Sequence, residues 1–206
     1  YIKGTMQKIF SQEIRFKDDS GKYFPKWEEK KLGDVATFRR GSFPQPYGLR
    51  KWYDDVDGFP FVQVFDVGEN FKLKSNTKRK ISDEAKKLSV LVEKGSIVLT
   101  IQGSIGRIAL TQYEACVDRT LLIFKSFKKP VDKLFFMHIV HSLFEIEKEK
   151  APGGTIKTIT KEALSSFKLL IPVLLEQQKI ANFLSSLDNL INSKQQQIAE
   201  AEQWKK

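Results

Sequence analysis

Few side chains in this sequence have the type and spacing that catalysis or metal binding requires. His138 and His141 lie three residues apart without acids or cysteines at ligand spacing, so a structural role is favoured over a metal site. Residues 103–107 are glycine-rich but lack the Gly-Lys-Ser/Thr ending of a nucleotide-binding loop. The aspartates of residues 54–57 could hold a divalent ion, and a solvated turn is the alternative. We therefore expect no catalytic group and no metal site.

The basic side chains carry the stronger chemical signal. The chain has 206 residues, with 35 Lys and Arg against 25 Asp and Glu, which gives a formal net charge of +10. A basic excess favours polyanionic partners, either nucleic acid or an anionic membrane surface. The segment from residue 173 to the end is neutral, so the whole excess lies in residues 1–172.

Two stretches within that region hold basic residues without intervening acids. They predict a phosphate-facing surface if the fold brings them together, and two unrelated solvated loops if it does not. The first stretch lies among glycines and prolines, which are typical of a loop, and such a loop can present Arg to guanine or Gln to adenine. The second stretch would neutralise phosphates. The candidates are Arg39, Arg40, Gln45, Tyr47, Arg50 and Lys51 in the first stretch, and Lys72, Lys74, Lys78, Arg79 and Lys80 in the second.

Further candidate contacts lie at two glycine-containing sites. Gln102, Ser104 and Arg107 belong to a predicted turn, and Thr155 and Lys157 follow a Gly-Gly pair. Turns of this kind can bring polar side chains and backbone N–H groups to a DNA backbone.

The elements that must position these residues are mainly short strands. Short apolar runs predict strands within residues 58–64, 95–101, 108–110 and 121–124, and glycines bound the run at 95–101. Residues 132–150 have helical periodicity and are followed by a Pro-Gly-Gly stop. Because no regular βαβ rhythm is present, we predict an α+β fold with a mixed, mainly β core and peripheral helices.

A long helix is predicted after Pro172, running to the end of the chain. Steps of three and four between its apolar residues make a heptad pattern, typical of a coiled coil. We expect this face to pair with a helix of another chain or of a segment outside this sequence, and folding back on its own domain is the alternative. The pairing positions are Ile180, Leu184, Leu187, Ile191 and Ile198.

The beginning of the chain reads as a helix end followed by a polar connector. We therefore divide the sequence into a helix end and linker (residues 1–23), one globular domain (24–172) and a coiled-coil helix (173–206). A single cysteine excludes an intrachain disulfide, and no apolar run approaches the length of about 20 residues that a membrane span requires. We expect a cytoplasmic protein without a membrane partner.

Three segments follow one another in a specific order. They are Trp27-x-x-Lys30-Lys31-Leu32-Gly33-Asp34-Val35-Ala36; Gly95-Ser96-Ile97-Val98 followed by Gly103-Ser104-Ile105-Gly106; and Gly153-Gly154-Thr155-Ile156-Lys157-Thr158-Ile159 leading through Leu169-Leu170-Ile171-Pro172 to Glu176-Gln177-Gln178-Lys179-Ile180. Together they resemble the specificity subunit of Type I DNA restriction–modification systems. They are similar to the beginning of a target recognition domain, its inner strand and turn, and its exit into the conserved spacer helix.

The resemblance implies a sequence reader without catalytic groups, whose spacer helices set the distance between two half-sites. It implies that modification subunits, which bring S-adenosylmethionine, dock on this chain. Restriction subunits, which use ATP and Mg, would associate with it indirectly. Because these cofactors belong to the partner subunits, we expect this chain itself to hold none. Relatives usually carry two recognition domains and this chain carries one, so we expect a half-length subunit or an excised C-terminal half. Two copies paired through their terminal helices would read a palindromic, split target. Asp118 and Arg119 depart from the family pattern, which argues against a DNA contact there.

Two other functions remain open at this point. A basic coiled-coil assembly module could bind RNA or an acidic protein. A stand-alone nuclease could use the aspartates of residues 54–57.

Overall fold

A computed structural model describes residues 2–68, 70–150 and 159–203 of the chain. It contains helices, two short 3-10 helices and strands, which confirms the predicted mixed fold with a long C-terminal helix. Within the described residues, no helix is both long enough and apolar enough to cross a membrane. The helices are α1 (Ile2–Phe10), α2 (Leu32–Val35), α3 (Asp83–Leu88), α4 (Lys133–Lys150), α5 (Lys161–Ser166) and α6 (Leu174–Gln203), with 3-10 helices at Arg50–Trp52 and Val64–Asp66.

The strands of the described residues form two four-stranded sheets and one strand pair. The first sheet has the order β2-β9-β6-β7 and is antiparallel; the second has the order β4-β3-β8-β5, in which only β3 and β8 are parallel; β1 pairs with β10. The strands are β1 (Glu28–Lys31), β2 (Ala36–Arg40), β3 (Phe59–Val62), β4 (Arg79–Ile81), β5 (Val90–Val92), β6 (Ile97–Thr100), β7 (Ile108–Leu110), β8 (Ala115–Val117), β9 (Leu121–Phe127) and β10 (Lys168–Ile171).

The chain divides into two compact units. The sheet unit consists of Lys30–Lys129 and Leu143–Leu169, and the helical unit contains residues 2–29, 130–142 and 170–203 among those described. Both units are therefore discontinuous in sequence. The division into segments 1–23, 24–172 and 173–206 stays a prediction.

One apolar core is shared by the two four-stranded sheets of the sheet unit. Its buried residues include Val62 of β3, Val98 of β6, Ala109 of β7, Val117 of β8 and Ile123 of β9. All of β6 and the first four residues of β9 are buried. Strands covered on both faces read as continuous apolar runs, and this is why β6 and β9 were predictable from the sequence.

The helical unit is held by edge-to-face aromatic contacts and by helix packing. Phe10 of α1 lies 6.5 Å from Trp27 and 6.0 Å from Phe135, measured between ring centroids. Contacts between α1 and α6 pack these two helices together. Ile180 and Leu184 are fully buried within the chain. This corrects the expectation that these two positions pair with a helix outside it.

The later positions of the α6 stripe are more open. Leu187 and Ile191 are half-buried, and Ile198 is 59% exposed. Because α1 has 9 residues and α6 has 30, α1 can cover only part of α6 at the common rise of about 1.5 Å per residue. Pairing through these three positions stays a prediction.

A buried carboxyl group lies in the first turn of α6. Glu176 is 0% exposed. Burial raises the pKa of Glu176, and Trp27 and the charge of Arg15 offset this effect only in part. The carboxyl group therefore belongs to the interior of the helical unit, where its charged form is disfavoured.

Candidate nucleic-acid interface

The first basic stretch does not form the single loop that its glycines and prolines predict. Arg39 and Arg40 are exposed residues at the end of strand β2, and Arg50 and Lys51 lie in a 3-10 helix. β2 forms because its inward positions are apolar and buried, while both arginines fall on exposed positions. The loop expectation is therefore wrong at both ends of the stretch and holds for the residues between them, including the exposed Gln45.

An aromatic cluster holds this intervening loop against the second sheet. The ring of Phe43 is buried, and its centroid lies 5.0 Å from Tyr47, 5.4 Å from Tyr53 and 4.6 Å from Phe61 of β3. Aromatic pairs at such distances add stabilisation beyond the area they bury. The loop is thus packed onto the sheet unit through its own side chains.

The hydroxyl group of Tyr47, a predicted DNA contact, is engaged within the protein. It donates a hydrogen bond to Oδ2 of Asp118 at 3.0 Å and accepts one from Nε2 of Gln63 at 2.6 Å. Burial, followed by the Asp118 carboxylate, raises the pKa of Tyr47 well above its ordinary value. Asp118 is itself buried and also accepts from the N–H and hydroxyl of Thr120. Tyr47 and Asp118 therefore position the loop, in agreement with the doubt that the sequence raised about a DNA role for Asp118.

Parts of the two basic stretches do meet. Tyr53, just after the 3-10 helix Arg50–Trp52, forms a β-bridge with Ile81 of β4. The Ser82 hydroxyl donates to the Lys51 carbonyl at 2.8 Å. The guanidinium group of Arg79 lies 3.9 Å from the centroid of the Tyr53 ring. The structure therefore places Arg50 and Lys51 beside β4, which carries Arg79 and Lys80.

Acids that are distant in sequence lie next to these basic residues. Nζ of Lys51 is 2.9 Å from Oε1 of Glu84, and Nε of Arg79 is 3.0 Å from Oδ1 of Asp55. The backbone N–H of Lys80, and then the Arg79 side chain, lower the pKa of Asp55. In both pairs the carboxylate side chain is more than half exposed, at 57% for Glu84 and 54% for Asp55. Exposed ion pairs contribute little net free energy, so a phosphate group could replace either carboxylate.

Lys72 and Lys74 lie elsewhere in the sheet unit. Lys72 forms a parallel β-bridge with Leu110 of β7, and the N–H of Lys74 donates to the Asp66 carbonyl at 2.8 Å. In the first sheet β7 and β2 are the opposite edges, and Lys72 lies beyond β7, so it is separated from Arg39 and Arg40 by four strand spacings of about 4.8 Å each. The two basic stretches therefore meet only where Arg50 and Lys51 lie beside β4.

A buried carboxylate fastens the segment that carries Lys78. Asp66 is 1% exposed; its Oδ2 accepts the N–H of Gln63 at 2.8 Å, and its Oδ1 accepts the N–H of Lys78 at 2.8 Å. The Gln63 side chain completes a capping box around the 3-10 helix Val64–Asp66. Sequence reasoning missed Asp66. The signal that could have found it is the Gln-x-x-Asp spacing beside an apolar strand.

The predicted turn between β6 and β7 is present. Gly103 and Gly106 have φ angles of 69° and 84°, a region that favours glycine. Ser104 is exposed, and Gln102 and Arg107 are half-buried. The turn therefore offers Ser104 to a ligand most directly.

The two remaining predicted contacts, Thr155 and Lys157, lie outside the described residues.

Two of the aspartates of residues 54–57, Asp54 and Asp55, have structural partners. Oδ1 of Asp54 accepts the N–H groups of Val56 and Asp57, at 3.3 Å and 3.1 Å, and Asp55 binds Arg79. In the part of the chain that the structure describes, no three His, Cys, Asp or Glu residues are grouped to hold a metal ion. Burial raises the pKa of Cys116 to about 11, so its thiol is a weak nucleophile.

Comparison with known proteins identifies the family. Residues 25–203 match the family model for the Type I restriction modification DNA specificity domain. The chain belongs to this family. The resemblance seen in the ordered sequence segments is therefore confirmed, and so is the prediction of a specificity subunit rather than a catalytic one.

Curated relatives of this specificity domain are specificity subunits. The chain is 28% identical over 216 residues to the "Putative type I restriction enzyme MjaX specificity subunit" of Methanocaldococcus jannaschii, with 99% of this chain and 48% of the relative covered. It is 25% identical over 173 residues to the "Type I restriction enzyme EcoR124I/EcoR124II specificity subunit" of Escherichia coli, with 81% and 42% covered. The chain thus spans about half the length of these relatives.

Solved structures show the same fold. The HsdS subunit of Thermoanaerobacter tengcongensis matches with a TM-score of 0.64 and 19% identity, over 95% of this chain and 45% of the other. The S subunit of M. genitalium matches with a TM-score of 0.62 and 14% identity, over 97% and 49%.

Proposed function

We propose that this specificity domain reads one half of a bipartite sequence in double-stranded DNA. The junction of the two basic stretches, where the 3-10 helix Arg50–Trp52 lies beside β4, supports the proposal most directly. Cationic side chains on neighbouring segments can neutralise successive phosphates, and arginine can donate two hydrogen bonds to guanine. Arg50 is exposed and is the proposed base-reading residue at this junction.

Other residues have proposed supporting roles. Lys72 and Lys74 are exposed and have no salt bridge within the described residues, which suits phosphate contacts. The remaining proposed contacts are Arg39, Arg40, Gln45, Lys51, Lys78, Arg79, Lys80, Gln102, Ser104 and Arg107, together with Thr155 and Lys157.

The assembly around the chain is part of the proposal. The helical unit would dock modification subunits carrying S-adenosylmethionine, and restriction subunits using ATP and Mg would join indirectly, in the cytoplasm. Two copies would pair through Leu187, Ile191 and Ile198 of α6, giving a palindromic, split target. Sedimentation of the purified chain, compared with an Ile198→Asp variant, tests this pairing. A wild-type chain that stays monomeric at high concentration would refute it.

The duplex preference is tested by competition binding. Purified chain is offered double-stranded DNA, structured RNA and single-stranded DNA at several salt concentrations. We expect duplex DNA to compete best, and equal or better competition by RNA would favour the assembly-module alternative. Arg50→Ala should relax sequence preference, whereas Lys74→Ala should weaken all duplexes equally and reduce the salt dependence. Methylome mapping with and without this chain, beside its modification partner, would then give the target sequence.

A further inference from the structure

Phe65 is an exposed aromatic residue within the basic part of the sheet unit. Its side chain is 46% exposed, and no other aromatic residue among the described residues of this unit is exposed. Single exposed apolar residues are ordinary on protein surfaces, so exposure alone assigns no role. What distinguishes Phe65 is the way in which its backbone and its surroundings are arranged.

The backbone at Phe65 is held rigidly. Phe65 is the middle residue of the 3-10 helix Val64–Asp66, which the capping box between Gln63 and Asp66 closes. The Asp66 carboxylate also binds the N–H of Lys78, so the turn is joined to the following basic segment. The backbone that carries the Phe65 side chain is therefore already ordered before binding, so less conformational freedom is lost when a ligand binds.

The surroundings of the ring suit a polyanion with apolar groups. Nζ of Lys78 lies over the Phe65 ring, 4.8 Å from its centroid. A methyl group built on Gly103 would lie 3.6 Å from Cγ1 of Val64, the residue before Phe65, so the β6–β7 turn that carries Ser104 is adjacent to the 3-10 helix. The apolar ring therefore has a cation over it, and a polar turn lies beside the helix that carries it; both are proposed DNA contacts.

We propose that Phe65 recognises a thymine by packing against its 5-methyl group, while Lys78 binds the neighbouring phosphate. The proposal rests on the proposed function of duplex recognition. The thymine methyl is the apolar feature of the major groove, and phenylalanine is among the residues that contact it. Because the ring is only 46% exposed, we expect it to pack against a methyl group rather than to act as a wedge that separates stacked bases.

The test removes the methyl group from the DNA and the ring from the protein. The chain selects its preferred sequences from two random duplex pools, one made with thymine and one with uracil. Affinities are then measured on the selected duplex, with thymine or uracil at each thymine position. Wild type should lose about fourfold in affinity at one position, the value for burial of one methyl group. Phe65→Ala should bind the thymine and uracil duplexes equally.

Control variants separate this contact from folding and from charge. Leu88, at the end of α3, is 57% exposed, so Leu88→Ala matches the loss of exposed apolar surface and should keep the wild-type ratio of thymine to uracil affinity. Lys78→Ala should weaken binding to both duplexes by the same factor. Thermal melting identifies an unfolded variant, and the uracil comparison on wild type is independent of any variant.

Each outcome bears on a different proposal. If wild type distinguishes thymine from uracil at no position, or if Phe65→Ala keeps the wild-type ratio, the role of Phe65 is refuted and duplex recognition stands. If wild type selects no sequence from the thymine pool, the proposed function fails and the inference fails with it.

Discussion

Replacing Asp66 tests whether a buried carboxylate holds the basic segment in place. Its two carboxylate oxygens accept the N–H groups of Gln63 and Lys78, each at 2.8 Å. In Asp66→Ala both N–H groups lose their acceptor in a part-buried setting. A hydrogen bond to a charged group contributes about 1.5–3 kcal/mol, so the loss of two predicts a decrease of about 3–6 kcal/mol in the free energy of unfolding.

A conservative variant refines the magnitude. Asp66→Asn keeps one carbonyl oxygen, which can accept from one N–H group while its NH₂ faces the other. We expect a loss of about 2 kcal/mol, between wild type and Asp66→Ala. Urea denaturation followed by the fluorescence of the buried Trp52 measures these differences. Asp57→Ala removes an exposed carboxylate nearby in the sequence and should change stability by less than about 0.5 kcal/mol.

The reasoning fails if Asp66→Ala unfolds at the same urea concentration as wild type with an unchanged slope. That result would mean that water or a shifted backbone replaces both hydrogen bonds at no cost. A loss of the same size in Asp57→Ala would also contradict it, since the effect would then follow from charge rather than from the two buried contacts.

Three further substitutions have expected outcomes. Gly106→Ala should lower the thermal midpoint, because φ of Gly106 is 84° and an added Cβ would lie 2.7 Å from Cβ of Phe144. An unchanged midpoint would show that the protein relieves this contact at no cost in stability. Burial lowers the pKa of His138 from 6.5 to about 4. As pH falls from 6.5 to 4, the unfolded chain therefore binds a proton before the folded chain does, and wild type loses stability. His138→Leu cannot bind this proton, so its thermal midpoint should fall less than that of wild type over this pH range. Burial raises the pKa of Glu176 above 4.5, so the charged carboxylate opposes folding. In melting curves, Glu176→Gln should be more stable than wild type at pH 7. Wild type should gain stability as pH falls toward 4.5, because its carboxylate becomes protonated, and Glu176→Gln should not.

Two of the strands that the sequence predicts, β6 and β9, owe their apolar runs to burial on both faces. β6 and β9 have apolar runs, whereas β4 consists of Arg, Lys and Ile and gives no local signal. β4 exists because it pairs with β3, whose partner on the other side is β8. Strand preference depends on cross-strand neighbours, so short basic strands cannot be predicted from local composition.

The basic residues of the site were visible in the sequence, but their partners were not. Glu84 lies 33 residues from Lys51, and Asp55 lies 24 residues from Arg79, so stretches that are free of acids in sequence are not so in space. Phe65 was missed for a similar reason. An isolated phenylalanine in an apolar run predicts burial, and only the 3-10 turn after β3 exposes it.

The buried carboxylates Asp66 and Asp118 of the sheet unit accept hydrogen bonds from backbone N–H groups and from hydroxyl groups, not from the basic side chains. Asp66 accepts the N–H of Lys78 and leaves its ammonium group over Phe65, and Asp118 accepts from Tyr47. The hydrogen bond to Asp66 would therefore survive any substitution of Lys78 other than proline, which lacks an N–H. It follows that the Lys78 side chain can be exchanged while the backbone beneath it keeps this hydrogen bond. If the domain reads DNA as proposed, its contact at residue 78 can therefore change without a change in this part of the fold.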